Sequence, residues 1–540
     1  MSEKLKMENK RVILAVALSF VVLLGWQFLF PTQPQQPVPV QTQQSVEKQE
    51  AVKGPVSNQF PDPMTTSAIV SAKGTKLKVE TPLYSAVINS QGGLLENFKL
   101  KLYKETIEAN SPDVDMVGAN ALDKAPMGII LNGIPTWTRG VWGYEGDNLS
   151  LNGDKIGTLV FRGEVEGFRI ERRLTFHADN YLIDEDVRIL NESNPSGQGR
   201  VAFTTATKSL SADGDRYNPT RISWYGTDGL KTESDREDLQ KTGIEVTGDL
   251  NWGAIDSNFF ILALLPEAKD VTVKGKVQDD IFRVAAEHTV SLDKGIERKL
   301  ACSYFFGPMD PNYMNKVSGN LAAAIDFGWF DIIAKPLTIA LEWFNQYVHN
   351  YGISIILLTI AIKLLFWPLS QKSYKSMEQM KRLQPMVAKL REKYGDDKER
   401  LNKESMQLYK TYNVNPAGGC LPMVLQIPVF FGLYKALLGT VALRHADFIT
   451  HFPFTDIIWL ADLSAKDPLY ITPIVMGATM FLQQKMTPSA GDPTQQKIMM
   501  LLPLVFTFMF LNFPAGLVVY WLVNNVLSIA QQWIITRKVK

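Results

Sequence analysis

The residues best able to do chemistry in this chain lie inside apolar segments. Lys363 interrupts 353–369, a run otherwise apolar and long enough to cross a bilayer. An ammonium near the centre of such a helix costs about 3 kcal/mol or more. Thr359 falls four residues earlier, on the same helical face. Gln426 lies between Pro422 and Pro428 in a later apolar segment. Asn524 and Asn525 lie midway along the last one, with Tyr520 one turn before them. Any one of these amides could simply glue helices together. Together with Thr359 and Lys363 they favour a shared hydrophilic pocket. The later apolar segments carry no Asp or Glu at depth. An unpaired cation suits an anionic client better than an internal salt bridge, and argues against a carboxylate proton relay. The competing reading is snorkelling, in which the long lysine stem reaches the nearer headgroups.

Six spans would position these groups. Val12–Phe30 follows Lys10 and Arg11 and ends in Trp26, Phe28, Phe30 and Pro31. It is longer than a secretory h-region and no small-x-small site follows, so a retained anchor is expected in preference to a cleaved signal. The Lys363 span comes second. Cys420–Leu438, Leu469–Met486, Ile498–Phe513 and Leu517–Ile535 complete the set, the last two separated at Pro514-Ala515-Gly516. Ahead of the Lys363 span, Phe327, Phe330, Ala334, Leu337, Leu341, Phe344 and Val348 recur at three and four, which predicts an amphipathic helix at the interface.

Charge orients the spans. Lysines and arginines crowd 370–419 and the tail from Arg537, whereas 439–468 carries only Arg444 and Lys466. Both termini and the long basic loop are therefore expected in the cytoplasm. That loop reads as an αα-hairpin: one helix over Lys372–Lys393, a turn at Tyr394-Gly-Asp-Asp397, and a second helix over Lys398–Tyr412. Met377, Met380 and Met386 either offer an adaptable client-binding face or fill the hairpin seam. In the fifth span Phe506 and Met509 belong to a soft, lipophilic run.

Between the first two spans the chain is polar. Pro31 to about Ser67, rich in Pro, Gln and Val, reads as an extended tether. From Thr75 to Pro308 the pattern is β, with Tyr181, Ile183, Val187 and Ile189 on one strand face and Asp184, Asp186 and Arg188 on the other. An antiparallel sandwich is expected. Trp137, Trp142 and Trp224 default to core packing. Cys302 and Cys420 fall on opposite membrane faces, which excludes a disulfide between them. His445 and His451 share a loop without metal-ligand spacing, and no phosphate-binding GxxxxGK[ST] loop occurs. The formal net charge of +1 gives no reason to expect nucleic acid. The expected partition is anchor 1–30, tether 31–74, β domain 75–318, interfacial helix 319–350, and a five-span core 351–540 with its hairpin at 371–417.

The chain resembles the YidC/Oxa/Alb insertase family, in its Gram-negative type with a large periplasmic domain. The resemblance rests on Asp326-Phe-Gly-Trp, Trp367-Pro-Leu-Ser, Gly395-Asp-Asp-Lys, Val414-Asn-Pro-Ala-Gly-Gly-Cys-Leu-Pro, Gln426-Ile-Pro-Val-Phe, Gln484-Lys-Met-Thr-Pro, Asp492-Pro-Thr-Gln-Gln-Lys and Phe513-Pro-Ala-Gly-Leu, in one order. It implies a β-supersandwich and a groove open to cytoplasm and lipid but closed to the periplasm. It implies an insertase of the inner membrane, not an enzyme and with no cofactor, that moves hydrophilic tails of nascent membrane proteins. The Sec translocon, the ribosome, the signal recognition particle receptor and lipids are the implied partners. The groove would be lined by Lys363, Thr359, Gln426, Tyr520 and Asn524, with Phe430, Phe506 and Met509 along the path of the client. The family's groove cation is usually arginine, here Lys363, and its second tyrosine of the last span is here Trp521. Rival readings are a secondary transporter or channel using the same cavity, and an envelope-sugar enzyme acting through the β domain. The first should show repeats or paired ionisable residues, the second paired carboxylates.

Overall fold

Alternating burial builds the β domain strand by strand. Strand Leu182–Asn191 buries Ile183, Val187 and Ile189 and exposes Asp186 and Arg188. It pairs antiparallel with Phe168–His177 on one side and Glu297–Pro308 on the other. The computed structural model describes residues 61–64, 74–211, 217–394, 397–412, 414, 421–486 and 493–539. The expected anchor, most of the tether and Cys420 lie outside the described residues.

Position 185 departs from the apolar pattern. It points inward with its neighbours Ile183 and Val187 yet is a glutamate, fully buried. Arg172 answers it: Nε donates to Glu185 at 2.5 Å, and Tyr304 donates its hydroxyl to the other carboxylate oxygen at 2.8 Å. The remaining guanidinium nitrogens donate to the carbonyls of Gly92 and Met127, which ties the pair to a turn and a loop of other layers. A buried pair satisfied this fully is tolerated; removing one partner costs about 3–5 kcal/mol.

Nine strands form one sheet, six a second and five a third. Ile129 and Phe203 from the six-stranded sheet, Ile170 and Leu174 from the nine-stranded sheet, and Ile88 and Phe98 from the five-stranded sheet join one apolar cluster. Trp137 is fully buried, while Trp142 and Trp224 are half-buried against the core. Part of the expected tether is docked: Met64 is buried among Leu94, Ile130, Trp137, Ala202 and Ala285. At the other end Val317, Leu321 and Ala324 still pack on the β core.

Eight longer helices follow among the described residues. Helix α1 is Asp331–Val348, α2 Tyr351–Leu365, α3 Trp367–Tyr394, α4 Lys398–Thr411, α5 Leu421–Gly439, α6 Ile471–Met486, α7 Pro493–Phe510 and α8 Ala515–Val539. Helix α1 buries Ala334 and Leu341 and half-buries Leu337 and Phe344 against the bundle. The expected single segment 353–369 stops short, because the chain bends by 65° between α2 and α3. Pro368 lies in the first turn of α3, where its missing N–H is harmless, whereas an unbroken helix would lose a bond there. Among the described residues, α8 alone is long and apolar enough to cross a membrane, and the bent pair α2–α3 passes the same test jointly. Helices α3 and α4 form the hairpin, joined by Met380, Leu383, Tyr409 and Val414. Asp397 caps α4 by accepting from the Arg400 N–H at 3.0 Å.

Candidate functional site: a polar network across three helices

Helix α8 changes character along its length. Leu517, Val518, Val519 and Tyr520 belong to an apolar cluster that also takes Ile355 and Leu358 of α2 and Leu433 and Leu437 of α5. Beyond Tyr520 the same face turns polar. Asn524, Ser528 and Gln531 follow at steps of four, four and three, so they continue one stripe.

The lysine meets that stripe. Lys363 Nζ donates to Ser528 Oγ at 2.7 Å. Ser528 in turn donates its hydroxyl to the Asn524 backbone carbonyl at 2.7 Å. The Asn524 side-chain oxygen accepts from Gln426 Nε2 at 2.6 Å. Helices α2, α5 and α8 are thus stitched by one chain of hydrogen bonds. Asn525 turns towards α6, where its amide lies 3.4 Å from Thr479 Oγ1, and Gln532 donates to the Met486 carbonyl at 2.8 Å. None of the ion pairs among the described residues includes Lys363. Among the described residues its hydrogen-bond partner is a neutral hydroxyl, so the ammonium keeps donor capacity for an anion.

Several polar atoms on this face are buried without a protein partner among the described residues. They are both amide atoms of Gln531 and the Gln532 carbonyl oxygen. Leaving such groups dry costs about 1–3 kcal/mol each. Native proteins commonly satisfy them with water.

The expected groove residues separate into two levels. Lys363, Gln426 and Asn524 share the network, and Tyr520 lies at its apolar border. Thr359 is buried, and its hydroxyl is spent on the Ile355 carbonyl of its own helix at 2.6 Å. It does not donate into the network. Ser528, Gln531 and Thr479 were not among the residues expected from sequence. The steps of four, four and three after Tyr520 are a usable signal for the first two; only packing brings in Thr479.

Trp521 takes the position of the absent tyrosine and joins an aromatic wall. Its ring centroid lies 4.6 Å from Phe430 of α5, 6.0 Å from Phe506 and 5.0 Å from Phe510 of α7. Phe430 and Phe506 are accordingly half-buried, while Met509 is exposed. The methionines of the hairpin divide. Met377 and Met380 are buried, Met380 in the seam with Leu383 and Tyr409. The seam needs apolar filler, and unbranched methionine supplies it. Met386 is exposed, as is Met406 of α4.

The loop 440–470 closes the bundle on the β-domain side. Its Leu463 carbonyl accepts from the Gly516 N–H at the start of α8, and a Cβ at Gly516 would come 3.2 Å from that oxygen. Val441 is buried in the β-domain cluster. Arg444 donates to the carbonyls of Lys104 and Glu105 at 2.6 and 3.2 Å and lies over the Phe260 ring. Burial pulls the Arg444 guanidinium below its ordinary value, and Asp462 and Glu105 act against that.

Two family profiles match the chain, "60Kd inner membrane protein" over residues 343–540 and "YidC periplasmic domain" over residues 76–340. The chain is 78% identical to the membrane protein insertase YidC of Maridesulfovibrio salexigens, over 99% of this chain and all of that protein. It is 54% identical to the membrane protein insertase YidC of Nitratidesulfovibrio vulgaris, over 98% of this chain and all of that protein. A crystal structure of an active YidC insertase with its first transmembrane domain resolved aligns at 16% identity and a TM-score of 0.36, covering 87% of this chain and 95% of that one. A galactose mutarotase-like protein from Lactobacillus casei aligns with 43% of the chain at a TM-score of 0.32. On the family profiles and the full-length relatives, the chain belongs to the YidC family of membrane protein insertases, inner-membrane proteins with a periplasmic β-sandwich domain and C-terminal helices.

Proposed function

We propose that this chain inserts nascent membrane proteins into the inner membrane by drawing their hydrophilic tails into the polar network of α2, α5 and α8. The observation that carries the reading is Lys363, held 2.7 Å from Ser528 with no acidic partner among the described residues. A hydrophilic tail cannot cross about 30 Å of hydrocarbon unaided. Water reaching Gln531, Ser528 and Asn524 shortens that barrier, and the apolar layer around Tyr520 together with loop 440–470 closes the far end. The ammonium attracts an acidic tail transiently. The client's apolar segment then leaves along α5 and α7, past Phe430, Phe506 and the exposed Met509. Hydrophobic transfer drives the step, and the membrane potential assists where the tail is negative. No covalent bond is made or broken, so no residue is catalytic.

The finer topology belongs to the same reading. Six spans place both termini and the α3–α4 hairpin in the cytoplasm and residues 75–318 outside. The exposed Met386 and Met406, on a basic hairpin, suit contact with clients. The ribosome and signal recognition particle receptor would be met on this side, and the Sec translocon within the bilayer. The direct experiment places the full chain alone in liposomes with a two-span client bearing a short hydrophilic loop. Protease protection of that loop supports the reading. Protection no greater than in empty liposomes removes it. A cysteine at Asp147, labelled from outside in whole spheroplasts, tests the orientation; labelling from the cytoplasmic side alone contradicts it.

A further inference from the structure

Residues 440–470 carry a small β-hairpin, Ile449–His451 paired with Ile458–Leu460. Three helix starts hold the surrounding loop. The Phe448 N–H donates to the Leu460 carbonyl across the hairpin base, and the Phe448 carbonyl accepts from Asn350 Nδ2 at 3.1 Å. Asn350 is also the N-cap of α2, accepting from the Ile353 N–H. Trp459 Nε1 donates to Asp467, whose other carboxylate oxygen accepts from the Thr472 N–H in the first turn of α6. The carbonyls of Leu463 and Ala465 accept from Gly516 and Ala515 at the start of α8. The hairpin base is therefore fixed at the level where three apolar helices end, on the β-domain side.

Its tip is apolar. Phe454 is wholly exposed, and Ile457 and Ile458 are exposed with it. Phe454 also has φ +65°, in the left-handed region that glycine or asparagine would occupy with less strain. In water both the exposed ring and its backbone cost free energy, and a glycine would relieve both. The same N-cap, Asn350, follows directly on α1, whose solvent-facing side shows Ile332, Ile339, Trp343 and Tyr347, all exposed. Two apolar surfaces thus flank one helix end. Aromatic residues at helix ends are at home in the headgroup zone, where apolar rings meet lipid.

We propose that the 452–458 tip is a wedge seated in the outer-leaflet headgroup and acyl boundary, its partner being the lipid surface itself. It would pin the closing loop to the bilayer beside α1 while the polar network works on the other side.

The test uses the full chain in phosphatidylcholine–phosphatidylglycerol liposomes. Phe454→Cys and, separately, Ile457→Cys are labelled with an environment-sensitive fluorophore in a Cys420→Ala background; Cys302 is buried. Asp147→Cys, exposed on the β domain, serves as the water reference. The wedge predicts blue-shifted emission at both tip positions. It also predicts quenching by lipids spin-labelled near the headgroup severalfold stronger than at residue 147, and protection from aqueous iodide. Emission and iodide quenching equal to residue 147 would overturn it. So would shielding without lipid quenching that grows with protein density, the mark of a second copy on the tip.

Discussion

Lys363 and Ser528 lie 165 residues apart in sequence and 2.7 Å apart in space, the lysine donating to the serine hydroxyl. The serine in turn donates to the Asn524 carbonyl, so the cation is anchored to the backbone of the last helix. Ser528→Ala removes that anchor without altering charge. A hydrogen bond from a charged donor contributes about 1.5–3 kcal/mol. We expect a lower thermal midpoint in detergent and faster acylation of Lys363 by a water-soluble amine reagent, read by mass spectrometry. Unchanged acylation would show that Ser528 does not hold the ammonium.

Gln426 and Asn524 form the second joint of the network, at 2.6 Å. Each single change to leucine strands the other amide in the bundle, at about 1–3 kcal/mol. The double change strands neither. A double-mutant cycle on unfolding in detergent should give a coupling of at least about 0.5 kcal/mol. Additive losses would mean that the two amides act separately.

His288 is buried beside Phe203 in the six-stranded sheet, with neither ring nitrogen hydrogen-bonded among the described residues. Burial lowers its pKa to about 4. The folded domain therefore binds fewer protons than the unfolded chain between that value and the ordinary 6.5. Stability attributable to His288 is complete above about pH 6.5 and falls as pH drops towards 4, by roughly 3 kcal/mol. His177, raised chiefly by its hydrogen bond to Asp184, acts with the opposite sign: its contribution is present at low pH and lost as pH rises. Comparing the chain with His288→Leu separates the two. Urea unfolding of the β signal at pH 7 and pH 5 should show a larger acid loss in the native chain than in the variant. Equal losses would contradict the assignment.

Arg444 holds the closing loop to the β domain through two backbone carbonyls and one ring. Arg444→Lys keeps the charge but loses the fork geometry. Hydrogen exchange over 440–448 should speed up by about tenfold, in proportion to about 1.4 kcal/mol lost. Exchange as slow as in the native chain would place the loop's hold elsewhere, in Val441.

Much of this architecture was legible where period and composition speak directly. The alternation of Ile183, Val187 and Ile189 marked a strand, and the turn at Tyr394-Gly-Asp-Asp397 marked the hairpin, because each signal is local. Glu185 was opaque, since a carboxylate at an inward position makes sense only once Arg172 and Tyr304 arrive from other strands. The bend after Leu365 was understated because an apolar run reads as one helix, although Pro368 was visible. At the site, Lys363, Gln426 and Asn524 stood out as costly residues in apolar segments. Ser528 did not, because a serine in a helix is cheap and only its place beside a half-buried ammonium gives it a role. The methionines of the hairpin show the reverse: a suggestive composition, half of which packing consumes.

Lys363 is expected to act by its charge on the client's tail. The measurement is insertion of two clients that differ only in tail charge, acidic or neutral, into liposomes carrying the native chain, Lys363→Arg or Lys363→Glu at matched protein level. Lys363→Arg should insert both clients as the native chain does. Lys363→Glu should lower insertion of the acidic-tailed client by about tenfold, about 1.4 kcal/mol, and the neutral one far less. Equal loss for both clients under Lys363→Glu would show that Lys363 serves the fold of the bundle and not the passage of the tail.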